Sequence, residues 1–475
     1  MTLEPRAVIV LDVGKTQSTL SLWSPTGDLL ERRSRLNARV ATADYIALDS
    51  TRIEGWLAAT LSEFAYRANV GSIITVGHGA AAAIVRSGQL VCPPLDFESP
   101  IPSAFRREYD RERDSFAITG SPALDDGHNL GAQLHYLEKL YPGLLAPGSI
   151  VMPWAQYWGW LLSGVAASEV TSLGCHTDLW QPLAGKPSPL AIRRGWWKAM
   201  APLRPAGAVL GTLTSEWAAL TGLRRDVRVY CGLHDSNAAL LAARGFPDLN
   251  ARDCAVLSTG TWFVAMRTPP RDALDGIQVP ENRDCLMNVD AFGKPVPSAR
   301  FMGGREIELL TGQDTPRIGT APDQSAVLAA IPEVLAMGAM ILPTFAPGSG
   351  PFARRRGCWI SRPAVERQRR ATICLYAALV ADTAMELIGA RDGLLIEGRF
   401  AESEALVRAI ATLRPDIRVY VGHAHADVSY GALRLLNPAM ASLSPLTRVK
   451  PLPLDLQAYR ERWHREIDGL VRASG

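Results

Sequence analysis

Residues 8–23 read VIVLDVGKTQSTLSLW, an order of residue types that predicts two strands joined by a tight polar turn. Val8 to Leu11 is the short apolar run of a buried strand, and Leu20 and Leu22 resume the pattern beyond the turn. Asp12, Gly14, Lys15 and Thr16 lie between them. Gly14 permits backbone conformations that other residues resist. Successive N–H groups in such a turn can face an anion, and the Asp12 carboxylate can hold the magnesium ion that accompanies a nucleotide. An ordinary hairpin turn is the competing reading. The letters Gly14-Lys15-Thr16 also suggest a P-loop, but that pattern requires glycine at position 9, where Ile9 stands, and a helix afterwards. The residues beyond this turn read as a strand, so Lys15 is left as a point charge toward phosphate.

The pattern recurs at 253–266, DCAVLSTGTWFVAM, with Thr259, Gly260 and Thr261 in the turn. Considered alone this is also a Thr-rich hairpin. The two turns are separated by roughly half the chain, which excludes a short-repeat solenoid and suggests two similarly built domains facing one cleft. A chain of 475 residues exceeds what one hydrophobic core serves and fits that division.

Composition narrows the classes further. A hydrophobic share of 47% is that of a globular protein, and no apolar run approaches the ~20 residues of a membrane span. The first apolar run is brief and contains Asp12, unlike a signal peptide, so a cytoplasmic location is expected. Seven cysteines without C-x-x-C spacing argue against a zinc site or a disulfide framework. The net charge of +3 is too small to imply nucleic-acid binding. The compact basic run Arg354–Arg356 lies in a Gly/Pro-rich loop and reads as solvated, with phosphate contact as the alternative.

Several other apolar runs end in glycine and polar residues, which is where open α/β sheets collect ligands. Ile73 to Val76 leads into Gly77-His78-Gly79, and Val227 to Cys231 leads into Gly232-Leu233-His234-Asp235 and an Ala/Leu-rich helix. Asp235 at that junction also suits plain helix capping. Leu394 to Ile396 leads into Glu397-Gly398-Arg399, and a later helix carries Gly431. Ala364 to Ala390 reads as a core helix, and the tryptophans of 154–160 read as packing rather than sugar stacking. Arg305 and Glu306, after a glycine pair that opens a helix, read as a surface ion pair.

Taken together these segments resemble the FGGY family of carbohydrate kinases, within the actin-like ATPase superfamily. The likeness covers most of the chain. It rests on LDVGKT at 11–16, VGHGA at 76–80, CPPLDFE at 92–98, GLHDSNAAL at 232–240 and STGTW at 258–262. PTFAPGSGPF at 343–352, LIEGRFAES at 395–403 and YGALRLL at 430–436 add to it. TSLGCHTDLW at 171–180 and FMGGRE at 301–306 are similar to the branch of fuculokinase-like and rhamnulokinase-like enzymes.

The resemblance implies an α/β fold of two ribonuclease-H-like domains, 1–243 and 244–475, each a mixed sheet flanked by helices, with ATP and sugar meeting in the cleft. It implies Asp235 as general base and Asp12 as the magnesium ligand. Gly14, Lys15 and Thr16, with Thr259, Gly260 and Thr261, would hold the phosphates, and Gly398 and Gly431 would lie near the adenosine. His78, Gly79 and His176 would join Asp235 at the sugar, although His176 reads equally as a buried structural histidine. The family's frequent double glycine near the adenosine is replaced here by Glu397-Gly398-Arg399. The expected reaction is ATP-dependent phosphorylation of a primary hydroxyl of a small sugar, a ketose of the L-fuculose, L-rhamnulose or pentulose type. An ATPase without a sugar acceptor and a non-catalytic sugar sensor are the alternatives. Sugar and ATP are the expected partners, without nucleic acid or membrane, and the resemblance leaves room for a homodimer.

Overall fold

The structure is a computed structural model and describes residues 6–249, 252–268, 279–312, 323–422, 428–438, 440 and 445–473. The chain forms two compact units. Unit 1 comprises Met1–Gly245, Met287–Pro295 and Asp427–Leu443, and unit 2 comprises Phe246–Leu286, Val296–Ala426 and Ser444–Gly475.

Unit 1 is built on six strands: β1 (Ala7–Val13), β2 (Gln17–Trp23), β3 (Leu29–Leu36), β4 (Val70–Gly77), β5 (Val209–Thr212) and β6 (Arg228–His234). Their spatial order is β5-β6-β4-β1-β2-β3. The predicted hairpin is β1 and β2, paired antiparallel, while β1, β4 and β6 run parallel to one another. All eight residues of β4 are buried, as expected of a parallel strand covered on both faces. The strand period of two divides β1 between those faces. Ile9, Leu11 and Val13 join Leu57, Leu61 and Phe64 of the Ser50–Arg67 helix and Trp154 and Trp158 of the Trp154–Ser163 helix in one core. Val10 joins Ile74, Val76, Ala238 and Leu433 in the other. Asp49 starts the first of these helices by accepting a hydrogen bond from Arg52 N at 3.1 Å.

Unit 2 repeats the plan with β7 (Cys254–Thr259), β8 (Phe263–Thr268), β9 (Pro295–Phe301), β10 (Gly393–Gly398), β11 (Arg418–Val421) and β12 (Thr447–Arg448), in the order β9-β8-β7-β10-β11-β12. Here too an antiparallel hairpin, β7 and β8, is continued by parallel strands, β10 and β11. The expected core helix spans Glu366–Leu387 and buries Leu375, Ala378, Leu379 and Met385. The architecture is therefore mixed α/β, with mixed sheets flanked by helices.

A single cut after residue 243 does not describe these units, because 287–295 and 427–443 return to unit 1. Gly431 supplies the physical reason for the second return. The Val428–Leu436 helix lies so close on the Asp235–Ala243 helix that a Cβ at 431 would sit 1.7 Å from Ala238 O. All seven cysteines are free. Among the described residues no helix is long and apolar enough to cross a membrane.

Candidate active site

In unit 1 the parallel register brings the carboxyl ends of three strands to one rim. Asp12 aligns with Val76, and His234 aligns with Gly77. Asp12 therefore sits near the end of β1, His78 and Gly79 follow the end of β4, and Asp235 follows the end of β6. This is the edge at which parallel sheets bind ligands.

Asp235 opens the Asp235–Ala243 helix, with His234 as the residue before it. Its Oδ1 accepts hydrogen bonds from Ser236 N at 2.5 Å and Ser236 Oγ at 3.2 Å. The side chain is 28% exposed, so the carboxylate is part-buried yet reachable. His234 Nε2 lies 3.1 Å from Asp235 Oδ1 and 3.4 Å from Cys175 Sγ. Its Nδ1 lies 3.3 Å from the side-chain amide of Asn237, whose oxygen and nitrogen exchange by a flip. Burial alone would lower the pKa of this ring, but the Cys175 and Asp235 charges outweigh it and raise the value to about 9.

The segment 171–178 supplies the back of this arrangement. Thr171 Oγ1 accepts from His234 N at 2.9 Å and donates to the buried Glu169 at 2.5 Å. A Cβ on Gly79 would come within 2.6 Å of Cys175 Sγ and 2.9 Å of His234 Nε2. Glycine at 79 is thus what allows the β4 end to approach the β6 end. Residue type alone singles out neither Cys175 nor His234, although both stand inside family-like motifs. No local signal pairs residues 59 positions apart.

His78 is buried and lies between the rings of Phe97 and Trp154, with centroids 5.4 and 6.1 Å away. Its Nδ1–H donates to Gly79 O at 2.9 Å, and among the described residues its buried Nε2 has no hydrogen-bond partner. Burial lowers the pKa of this imidazole to about 4. A neutral ring with Nδ1–H committed leaves an acceptor lone pair on Nε2, suited to a ligand hydroxyl. His176 has a left-handed backbone, φ 39°, and its Nδ1–H donates to His128 O at 2.6 Å. Its near neighbour Asp178 is fully committed to structure, accepting from Tyr109 Oη at 2.5 Å and from Arg113 at 2.9 Å. Trp154 and Trp158 are buried, in keeping with a packing role.

The first turn is pinned by a residue outside it. Asn37 Nδ2 donates to Gly14 O at 2.8 Å, Asn37 N donates to Thr16 O at 2.8 Å, and Asn37 Oδ1 accepts from Ser18 Oγ at 2.8 Å. Lys15 Nζ is paired with the buried Asp96, lies 3.6 Å from Glu98 Oε2 and stands 4.7 Å above the Phe97 ring. Thr16 is exposed at the tip.

The corresponding turn of unit 2 is also tied to its neighbours. Thr259 Oγ1 donates to Glu397 O at 2.5 Å and accepts from Phe400 N at 3.0 Å. Gly398 lies beside it in register, at φ 83°, where a Cβ would be 2.3 Å from Thr259 O. Gly260 N donates to Trp262 O at 2.9 Å, and Thr261 is exposed. The Gly303–Thr311 helix packs against this turn, and a Cβ on Gly304 would sit 2.1 Å from Gly260 O. Glu306 on that helix is no surface ion-pair residue. It is 3% exposed and accepts from Phe345 N at 3.0 Å, Ala346 N at 3.2 Å, Thr344 Oγ1 and Tyr376 Oη. The amphipathic turn brings Glu306 inward and leaves Arg305, 53% exposed, to pair with Glu308 at 3.1 Å.

Beside the Gly398 turn, unit 2 holds a narrow, largely apolar cavity lined by Ile307, Gln324, Val327, Ile373, Phe400 and Ser403. Among the described residues Gln324 Oε1, buried there, has no hydrogen-bond partner. As for a metal, among the described residues no group of three or more His, Cys, Asp or Glu could hold one. Magnesium at nucleotide sites is held by one or two carboxylates together with phosphate oxygens and water. Asp12, half-buried at the rim of β1, fits that donor set.

Residues 251–444 match the C-terminal domain of FGGY carbohydrate kinases. A carbohydrate kinase from Novosphingobium aromaticivorans is 51% identical, with a TM-score of 0.91 over 98% of this chain and 99% of that one. The xylulose kinase of Rhodospirillum rubrum shares the fold at 19% identity, with a TM-score of 0.79 over 98% and 99% of the two chains. L-fuculokinase of Salmonella typhi is 25% identical over 278 residues, 54% of this chain, and the match spans 56% of the L-fuculokinase length.

Proposed function

The chain belongs to the FGGY family of carbohydrate kinases, and on that premise we propose that it transfers the terminal phosphoryl group of ATP to a primary hydroxyl of a small sugar, a ketose of the L-fuculose, L-rhamnulose or pentulose type. The observation that carries the reading is the shared rim of β1, β4 and β6, where Asp12, His78 and Asp235 follow one another across parallel strands.

Asp235 acts as the general base. Its carboxylate orients the attacking hydroxyl and accepts its proton as the bond to phosphorus forms, the moment at which that hydroxyl becomes acidic. His234 donates through Nε2–H to Oδ1 and thereby keeps the other carboxylate oxygen for the sugar. His78 Nε2 accepts a hydrogen bond from a second sugar hydroxyl, and Gly79 leaves room beside it. His176 is the further sugar contact on this reading. The turn Gly14–Thr16 and the turn Thr259–Thr261 each offer backbone N–H groups and hydroxyls to phosphate oxygens, with Lys15 adding positive charge. Since Thr259 Oγ1 already bonds Glu397 O and Gly260 N already donates to Trp262 O, Thr261 makes the phosphate contact of the second turn, and Gly260 leaves room for the close approach.

A magnesium ion bound at Asp12 would neutralise charge on the phosphates. On this reading adenosine lies near Gly398, where the absent side chain lets the nucleotide approach. A chain of this kind acts with sugar and ATP as its small-molecule partners.

The deciding test is a screen of ketoses, aldoses and polyols for ADP release, with the product phosphate located by NMR. It is repeated with Asp235→Asn, which should bind ATP and sugar with little change and lose about 10²–10⁴-fold in turnover. Near-normal phosphorylation by the variant removes Asp235 as base. Phosphate release at the full catalytic rate without any sugar removes the kinase reading itself.

A further inference from the structure

Unit 2 contains a second cavity, of about 340 Å³, lined by Asn282, Arg283, Phe352, Arg354, Arg355 and His464, with Asp468 as its acidic residue. That volume lies at the small end of ligand pockets. None of its lining residues belongs to the Thr259–Thr261 turn, the Gly398 turn or the apolar cavity at Gln324.

Arg283 and Arg355 are held in place rather than splayed into solvent. Arg283 Nε donates to Pro351 O at 2.5 Å, and its guanidinium lies 5.1 Å from the Phe352 ring centre. Phe352 in turn packs edge-on against Trp463, whose Nε1 donates to Ile341 O at 2.7 Å. Arg355 Nη1 donates to Ile467 O of the Gln457–Ala473 helix. Each guanidinium uses one arm for anchoring and keeps further N–H donors for the cavity.

Charge is unbalanced there. Among the described residues Arg283, Arg354 and Arg355 have no carboxylate within ion-pairing distance, although Arg283 and Arg355 are half-buried. Burial lowers the Arg283 pKa, and the neighbouring Arg355 charge lowers it further, against the opposing pull of Cys285, Glu386 and Asp468. Part-buried guanidinium groups without a counter-ion, fixed around a cavity of ligand size, match the forked recognition of phosphate by arginine.

We propose that this cavity is a second anion site, which takes a phosphate-bearing small molecule apart from the ATP phosphates. The shared chemistry is a phosphate monoester or free phosphate. The product of a sugar kinase is one source and inorganic phosphate is the other.

The test is calorimetric titration of the full chain with inorganic phosphate, and separately with a ketose 1-phosphate, after saturation with magnesium and a non-hydrolysable ATP analogue. One equivalent should bind per chain in the millimolar range or tighter. Arg354→Glu and Arg355→Gln should each weaken it at least tenfold while leaving the affinity for the ATP analogue unchanged. Tighter binding of the ketose phosphate than of inorganic phosphate, lost in the same variants, assigns the reaction product as occupant. The reverse order assigns free phosphate. Arg354 is exposed and, among the described residues, anchors nothing, so its variant keeps the test valid if Arg355→Gln loosens the last helix. No saturable binding at millimolar phosphate, or binding that both variants leave intact, overturns the proposal.

Discussion

His234 Nε2 stands 3.1 Å from Asp235 Oδ1 and 3.4 Å from Cys175 Sγ, so the residue just before the proposed base also links it to the buried Cys175 sulfur. The ring is raised to a pKa of about 9 in the folded chain from an ordinary 6.5. Below pH 6.5 both folded and unfolded states hold the proton, and its stabilising contribution is fully present. Between 6.5 and 9 the contribution falls away as pH rises. Turnover should therefore decline as pH passes about 9, and His234→Gln should lose that alkaline limb while keeping a lower plateau. Rate profiles of kcat from pH 6 to 10 check this. An unchanged limb in the variant means that His234 only packs.

His78 has the opposite sign. Its folded pKa is lowered to about 4 by burial. Above pH 6.5 neither state binds the proton, whereas between 6.5 and 4 the unfolded chain takes up a proton that the folded chain refuses. Stability should drop by about 3 kcal/mol across that window from this group alone. Urea denaturation of His78→Gln should show a curve flatter by that amount between pH 7 and 4. If Nε2 accepts from a sugar hydroxyl as proposed, sugar affinity should fall in the variant, with ATP affinity unchanged.

Gly431→Ala separates two roles for one glycine. If its purpose is close packing, a methyl group 1.7 Å from Ala238 O must push the two helices apart, costing about 1–3 kcal/mol or more of stability. The helix that moves begins at Asp235, so kcat should fall while the KM for ATP holds. Weaker ATP binding at unchanged stability would place Gly431 beside the adenosine instead.

Gly304→Ala probes the second turn without touching its residues. The new methyl would meet Gly260 O at 2.1 Å and displace the turn. ATP affinity should drop about tenfold or more, equivalent to about 1.4 kcal/mol, with sugar affinity unaffected. Calorimetry with each ligand reads the difference. Equal affinity of variant and parent for ATP would show that Thr259–Thr261 does not hold phosphate.

Much of the proposed site could be read from local pattern. Apolar runs at 8–11 and at the start of 253–266, each followed by small polar residues and a second strand, are written in consecutive letters, because strand burial repeats every two residues and glycine marks the bend. The helix after Asp235 and the long helix before residue 390 are legible for the same reason. Glu306 misled the local reading. Its neighbours suggest a surface pair, yet the helix turns it inward toward Thr344, Phe345, Ala346 and Tyr376, donors that lie 38 to 70 positions along the chain.

The order of residues along the chain was enough to establish two strand-turn-strand units, their spacing, and the acids at positions 12 and 235, since each depends on neighbours in sequence. Packing alone decided that Asn37 would clamp the first turn, that His234 would reach both Cys175 and Asp235, that Gly431 would be a helix contact, and that three arginines would surround one cavity. Those relationships join atoms from distant segments. Their distances exist only after helices have docked on sheets and the backbone has approached as closely as its missing side chains allow.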